Sequence, residues 1–116
     1  MTPDSQCDKR LNLQVYQRSA DMLIGIPFNI ASYALLLALV AHHCGYTRGE
    51  LILTLGDCHV YTNQTEGLDV INRIPFPHCT LRLNHPADKD ITTLTTDDID
   101  ILNYQAHQSI KLQMAI

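Results

Sequence analysis

The stretch Gly25-Ile26-Pro27-Phe28-Asn29-Ile30-Ala31-Ser32-Tyr33-Ala34-Leu35-Leu36-Leu37-Ala38-Leu39-Val40-Ala41-His42-His43-Cys44-Gly45 decides the fold class. Gly25-Ile26-Pro27 reads as a break, because proline cannot continue a helix from its interior. A helix is expected from about Phe28 to His43. Its apolar residues, from Ile30 to Val40, wrap almost all the way round, which describes a helix central in a core. Gly45 is placed to stop it. The longest apolar run, Ala34 to Ala41, is too short to span a bilayer, so no membrane span is expected.

Moving towards the N-terminus, Leu11-Asn12-Leu13-Gln14-Val15-Tyr16 alternates apolar and polar with period two and predicts a half-buried strand. The polar Gln17-Arg18-Ser19 follows it. Residues 1–10 form a polar start containing Pro3, read as poorly ordered or a turn. Moving the other way, Glu50 to Leu55 predicts a second strand ending at Gly56-Asp57, and Thr62 to Asn72 a short helix. Pro75 and Pro77 break the chain. Thr80-Leu81-Arg82-Leu83-Asn84 alternates again as a strand, and Thr96-Asp97-Asp98 has the acidic character of a helix N-terminus. Lys111 to Ile116 is a partly apolar tail. Strands and helices mix without a βαβ rhythm, so the expected class is α+β.

A chain of 116 residues fits one domain, and 46% apolar residues argue against disorder. The net charge of −4, with only 8 scattered Lys and Arg, disfavours DNA or RNA binding through a basic surface. An anionic small molecule needs only one or two well-placed cations. The cysteines Cys7, Cys44, Cys58 and Cys79 form no C-x-x-C pair and follow no apolar leader. Free thiols in a reducing, cytoplasmic setting are therefore expected. Cys44 and Cys79 read as packing residues. His42-His43-Cys44 occupies consecutive helical positions that diverge, and His78-Cys79 has no second ligand pair, so no metal site is expected.

The chemistry lies in Gln17-Arg18-Ser19-Ala20-Asp21. An arginine fork beside a hydroxyl suits a phosphate. A surface Arg18–Asp21 pair is the competing reading. Together with Tyr16, the nine residues Gly25 to Tyr33, Gly56-Asp57-Cys58-His59-Val60-Tyr61 and the terminal Met114-Ala115-Ile116, this motif resembles the thymidylate synthases in order and spacing, over about residues 11–116. The resemblance implies the C-terminal portion of that family's mixed-sheet α+β sandwich, in which the sheets of two subunits pack back to back as a homodimer. It also implies the reductive methylation of dUMP to dTMP in nucleotide biosynthesis, with 5,10-methylenetetrahydrofolate as cosubstrate.

Carried over position by position, the resemblance assigns dUMP binding to Gln17, Arg18, Ser19, Asp21, Asn29, His59 and Tyr61. Arg18 and Ser19 would hold the phosphate, and His59 and Tyr61 the deoxyribose 3′-hydroxyl. Asn29 would hold the uracil edge, since an amide has both a donor and an acceptor for O4 and N3–H. Helix capping is the competing reading of Asn29, and a structural histidine that of His59. Asp21, Gly25 and Phe28 would meet the folate, and Met114, Ala115 and Ile116 would close over it and exclude water.

The family's reaction needs a thiolate to attack C6 of the pyrimidine. The resemblance puts that cysteine in a Pro-Cys-His stretch on a strand that would fall before Met1. No catalytic residue is therefore assigned in this chain, and Cys7 maps to a turn, unactivated. Two expectations stand side by side. One is the substrate-binding part of a methyltransferase, inactive alone. The other is a non-catalytic remnant that at most binds nucleotide or a synthase subunit.

Overall fold

A computed structural model of the chain describes residues 9–114. Strand β1 (Arg10–Asp21) leads into helix α1 (Gly25–Cys44), which leads into strand β2 (Thr47–His59). β1 and β2 pair in parallel, so the three elements form one βαβ unit, where the sequence showed no such rhythm. The unit was hidden because both strands run well past their alternating parts. Their polar ends, Gln17–Asp21 and Gly56–His59, are held by ladder hydrogen bonds that any residue type can make. Helix and strand content are mixed, as the α+β class requires.

Helix α1 starts at Gly25, three residues before its expected start, and Pro27 sits inside its first turn. Proline costs nothing there, because the first four N–H groups of a helix have no intrahelical partner. At the other end Gly45 adopts φ 74°, its N–H bonds the His42 carbonyl at 3.3 Å, and Tyr46 N–H bonds that of Ala41 at 2.8 Å. This pair of bonds closes the helix in the way its glycine foretold. His42 and His43 then tie the last turn to the loop beyond β3, through contacts of 2.9 Å from ring nitrogens to the carbonyls of His85 and Ala87.

The helix is less enclosed than its composition implies. Ile26, Leu37, Ala38 and Ala41 are buried, together with Ala20 of β1, but Phe28, Ile30 and Leu36 stay exposed. β1 and β2 cover one side of it. The radius of gyration, 17.4 Å, exceeds the ~13 Å of a compact domain of this length. At 20 residues α1 is, by length and composition, long and apolar enough to cross a bilayer, which the run Ala34–Ala41 alone is not. Cys44 and Cys79 are exposed free thiols rather than packing residues, because neither the helix end nor the entry to β3 is covered.

Beyond β2, residues Thr62–Asn72 form 3-10 turns kinked at Gln64 rather than one regular helix. Strands β3 (Thr80–Leu83) and β4 (Ile99–Leu102) make an antiparallel pair. The acidic triplet Thr96–Asp98 is a single 3-10 turn, not a long helix. Thr95 caps it, and Asp98 bonds back to Thr95 N–H, after which the chain turns directly into β4. An open apolar groove of about 610 Å³ runs between α1, β2 and this strand pair.

Candidate functional site

Parallel pairing is what assembles the candidate residues. The register sets Ser19 beside Asp57, Ala20 beside Cys58 and Asp21 beside His59. Met22 N–H extends the ladder with a 3.0 Å bond to the His59 carbonyl. Two segments nearly forty residues apart thus end side by side at the C-terminal ends of their strands. Gly56 makes the approach possible: a Cβ there would lie 2.7 Å from the Arg18 carbonyl oxygen and 2.8 Å from Tyr16 Oη.

The first turn of α1 brings the next residues in. Gln17 Nε2 donates to Asn29 Oδ1 at 3.0 Å and to the Ser19 carbonyl at 2.9 Å. The Asn29 amide is therefore oriented, with Oδ1 turned to Gln17 and Nδ2 left to donate elsewhere. Ile24 precedes the helix and makes no side-chain cap, so Asn29, in the helix's second turn, is not a capping residue. Gly25 lies between the candidates: a Cβ there would be 3.3 Å from Asp21 Cβ and 3.5 Å from Asn29 Oδ1. Asp21 Oδ1 accepts from Leu23 N–H at 3.3 Å, which turns the chain from β1 into the helix.

On β2, His59 Nδ1 lies 3.2 Å from the Asp57 carbonyl and 3.5 Å from Asp57 Oδ1. Its ring meets Tyr61 edge to face, 4.9 Å between centroids. His59 is anchored on its Nδ1 side, which leaves Nε2 for another partner. Arg18 is exposed on β1 and forms no ion pair among the described residues, so a surface Arg18–Asp21 pair is absent. Phe28 is 72% exposed at the start of α1, an open ring beside Asn29.

Gln17, Ser19, Asp21, Gly25, Asn29 and His59 are thus linked by direct neighbour relations, and Tyr61 through His59. Met114 is exposed at the end of the described tail, while Ala115, Ile116 and Cys7 lie outside the described residues. Cys58 is an exposed thiol one residue from His59; strand alternation points it to the other face. Sequence reading missed two polar contacts. One is the Gln17–Asn29 bond, which joins strand to helix. The other is made by Gln64, wholly buried, whose Nε2 donates to the Gln113 carbonyl. Neither has a sequence signal, since a glutamine reads as surface until its neighbours are known.

The carboxylates held below their usual range lie elsewhere, around β3 and β4. Thr92 N–H lowers Asp90, Thr95 N–H and then Lys89 lower Asp98, and Asn84 and then Arg82 lower Asp100. The large groove is also separate, since none of the candidate residues lines it. Among the described residues no three His, Cys, Asp or Glu side chains converge as a metal set.

A family model described as thymidylate synthase matches residues 2–116. The chain belongs to the thymidylate synthase family. That is a family of methyltransferases whose cosubstrate is methylenetetrahydrofolate, and whose substrate is dUMP.

Proposed function

We propose that this chain carries the nucleotide- and folate-binding residues of a thymidylate synthase, acting in the reductive methylation of dUMP to dTMP. The observation that supports this best is the Gln17–Asn29 hydrogen bond, which leaves an oriented amide donor where strand meets helix. The Asn29 Nδ2 would donate to uracil O4. Arg18 and Ser19 would hold the phosphate through charge-assisted bonds. His59 Nε2 and the Tyr61 hydroxyl would take the deoxyribose 3′-hydroxyl. Asp21, Gly25 and Phe28 would face the pterin, with Met114, Ala115 and Ile116 closing over it. The family's nucleophilic cysteine lies in a Pro-Cys-His stretch that this sequence does not contain, so the chain alone is expected not to turn over. Free thiols at Cys44, Cys58 and Cys79 suit a cytoplasmic setting. The exposed face of the sheet, with Gln14, Tyr16, Ile52 and Thr54, offers a second copy a surface for back-to-back packing.

Calorimetric titration of dUMP tests the reading. Arg18→Ala removes a charge-assisted phosphate contact, which costs about 1.5–3 kcal/mol, or roughly ten- to a hundredfold in affinity. Equal affinity in the two proteins would overturn the phosphate assignment. An assay of dihydrofolate formation tests inactivity, and turnover abolished by Cys7→Ser would make Cys7 the nucleophile. The second reading, a remnant that binds nucleotide or a synthase subunit without turnover, is favoured by the uncovered flank of α1, where Ile30 and Leu36 stand exposed.

A further inference from the structure

An asparagine alone does not tell uracil from cytosine. Uracil offers an acceptor at O4 and a donor at N3, and cytosine a donor at N4 and an acceptor at N3. A side-chain amide matches the first with its NH₂ turned to position 4, and the second after a half-turn that leaves its shape unchanged. Selectivity therefore requires something that holds the amide in one of the two orientations. Gln17 makes that contact. Its Nε2 donates to Asn29 Oδ1 at 3.0 Å and to the Ser19 carbonyl at 2.9 Å, so both of its hydrogens are used. The Ser19 carbonyl is backbone and only accepts. A half-turn of the Gln17 amide would set Oε1 against that oxygen, acceptor against acceptor, so Gln17 is itself held one way round. Its Oε1 is buried and meets no donor among the described residues, so nothing there pulls it the other way. Both side chains are half-buried, Gln17 on β1 and Asn29 on α1.

We propose that Gln17 is a positioning residue that sets the choice of base: it passes the fixed polarity of the Ser19 carbonyl to the Asn29 amide, which then turns Nδ2 to O4 of a uracil nucleotide and rejects the N4 amine of a cytosine nucleotide. The inference rests on the reading above, in which Asn29 faces the pyrimidine edge. It adds that the selectivity of Asn29 comes from a neighbour that acts without touching the base. The relay runs from backbone carbonyl to Gln17 amide, to Asn29 amide, to base, and at each joint a donor meets an acceptor. Its polarity starts from a main-chain atom, which no rotation of a side chain reverses.

Gln17→Glu in the full chain reverses the relay. At about pH 8 the new carboxylate is ionised and only accepts. The Asn29 NH₂ then turns towards it, and Oδ1 faces the base. Calorimetric titration of dUMP and dCMP should show the dUMP/dCMP affinity ratio falling about ten- to a hundredfold. Gln17→Met keeps the unbranched shape and removes the amide, so Asn29 is released rather than reversed. Its ratio should fall by less, about three- to tenfold, the worth of one hydrogen bond. A role confined to packing weakens both nucleotides alike, so an unchanged ratio in either variant overturns the proposal. Asn29→Asp, titrated alongside, separates the two levels. A ratio that shifts in Asn29→Asp but not in the Gln17 variants overturns the relay alone. A ratio unchanged in all three, or an unmodified chain that binds neither nucleotide, overturns the reading beneath it as well. Should the Gln17 variants fail to fold, the unmodified chain gives the answer by NMR. The Gln17 side-chain NH₂ should exchange slowly with solvent, and exchange at the rate of a free glutamine overturns the relay.

Discussion

Replacing Asn29 by aspartate changes one group and keeps its shape, so it tests the pyrimidine assignment with little disturbance. Gln17 Nε2 donates to Asn29 Oδ1 at 3.0 Å. A carboxylate oxygen accepts the same bond, so the new side chain stays oriented. Its second oxygen then occupies the place of Nδ2 and is an acceptor only. Facing uracil O4, it forms no hydrogen bond and sets acceptor against acceptor. Leaving such a group unmet costs about 1–3 kcal/mol, or roughly 5- to 150-fold in dUMP affinity. Facing the cytosine amine, the same oxygen accepts a bond. The dUMP/dCMP preference should therefore move towards dCMP by about ten- to a hundredfold. Titrating both nucleotides against both proteins by calorimetry measures it. A weakened but unchanged preference would refute the reasoning, because the Asn29 amide would then not face the pyrimidine edge.

Gly56→Ala should destabilise the chain by about 1–3 kcal/mol through overpacking. Its Cβ would press on the Arg18 carbonyl oxygen at 2.7 Å, which belongs to backbone and cannot swing aside; thermal unfolding within error of the parent would contradict this. Acid should loosen the β3–β4 region first. Asp98 and Asp100 are held below their ordinary 3.8 by Thr95 N–H and Lys89, and by Asn84 and Arg82. A lowered folded value gives stability that is present above the unfolded one and lost as pH falls through the folded one. An amide-shift titration below pH 3.8 should thus show β3 and β4 departing before α1, and simultaneous loss would count against it.

What could be read from the sequence was whatever has a local cause. Gly45 ends α1 because a residue free of a Cβ adopts φ 74° most readily, and glycine announces that by itself. The alternation Leu11 to Tyr16 forecast the half of β1 whose inner face is apolar. The rest of β1, Gln17 to Asp21, breaks the period, and β2 from Gly56 to His59 does likewise. These residues are strand because each finds a partner on the neighbouring strand, which is a fact of pairing and not of composition. β4 escaped for a related reason. Ile99 to Leu102 is four residues long, and the acidic turn before it imitates the start of a helix until Thr95 and Asp98 close on one another.

The same division explains the site. Gln17 to Asp21 and Asp57 to Tyr61 were singled out as motifs, yet no spacing in the chain says that they touch. Their meeting depends on a register fixed at the far end of the strands. There the pairing shifts between Leu11 and Leu13, and Asn12 Oδ1 accepts from Glu50 N–H at 2.8 Å. Beyond that irregularity the pairs run from Leu13–Leu51 to Asp21–His59. A slip of one residue would set Cys58 or Val60 opposite Asp21 and turn the His59 ring to the other face of the sheet. Alternation on β2 guards against it, since Leu51, Leu53 and Leu55 face inward while Ile52 and Thr54 face out. The leucines that make β2 recognisable as a strand therefore also decide which face the His59 imidazole takes at its end. The apolar pattern positions the polar site without belonging to it.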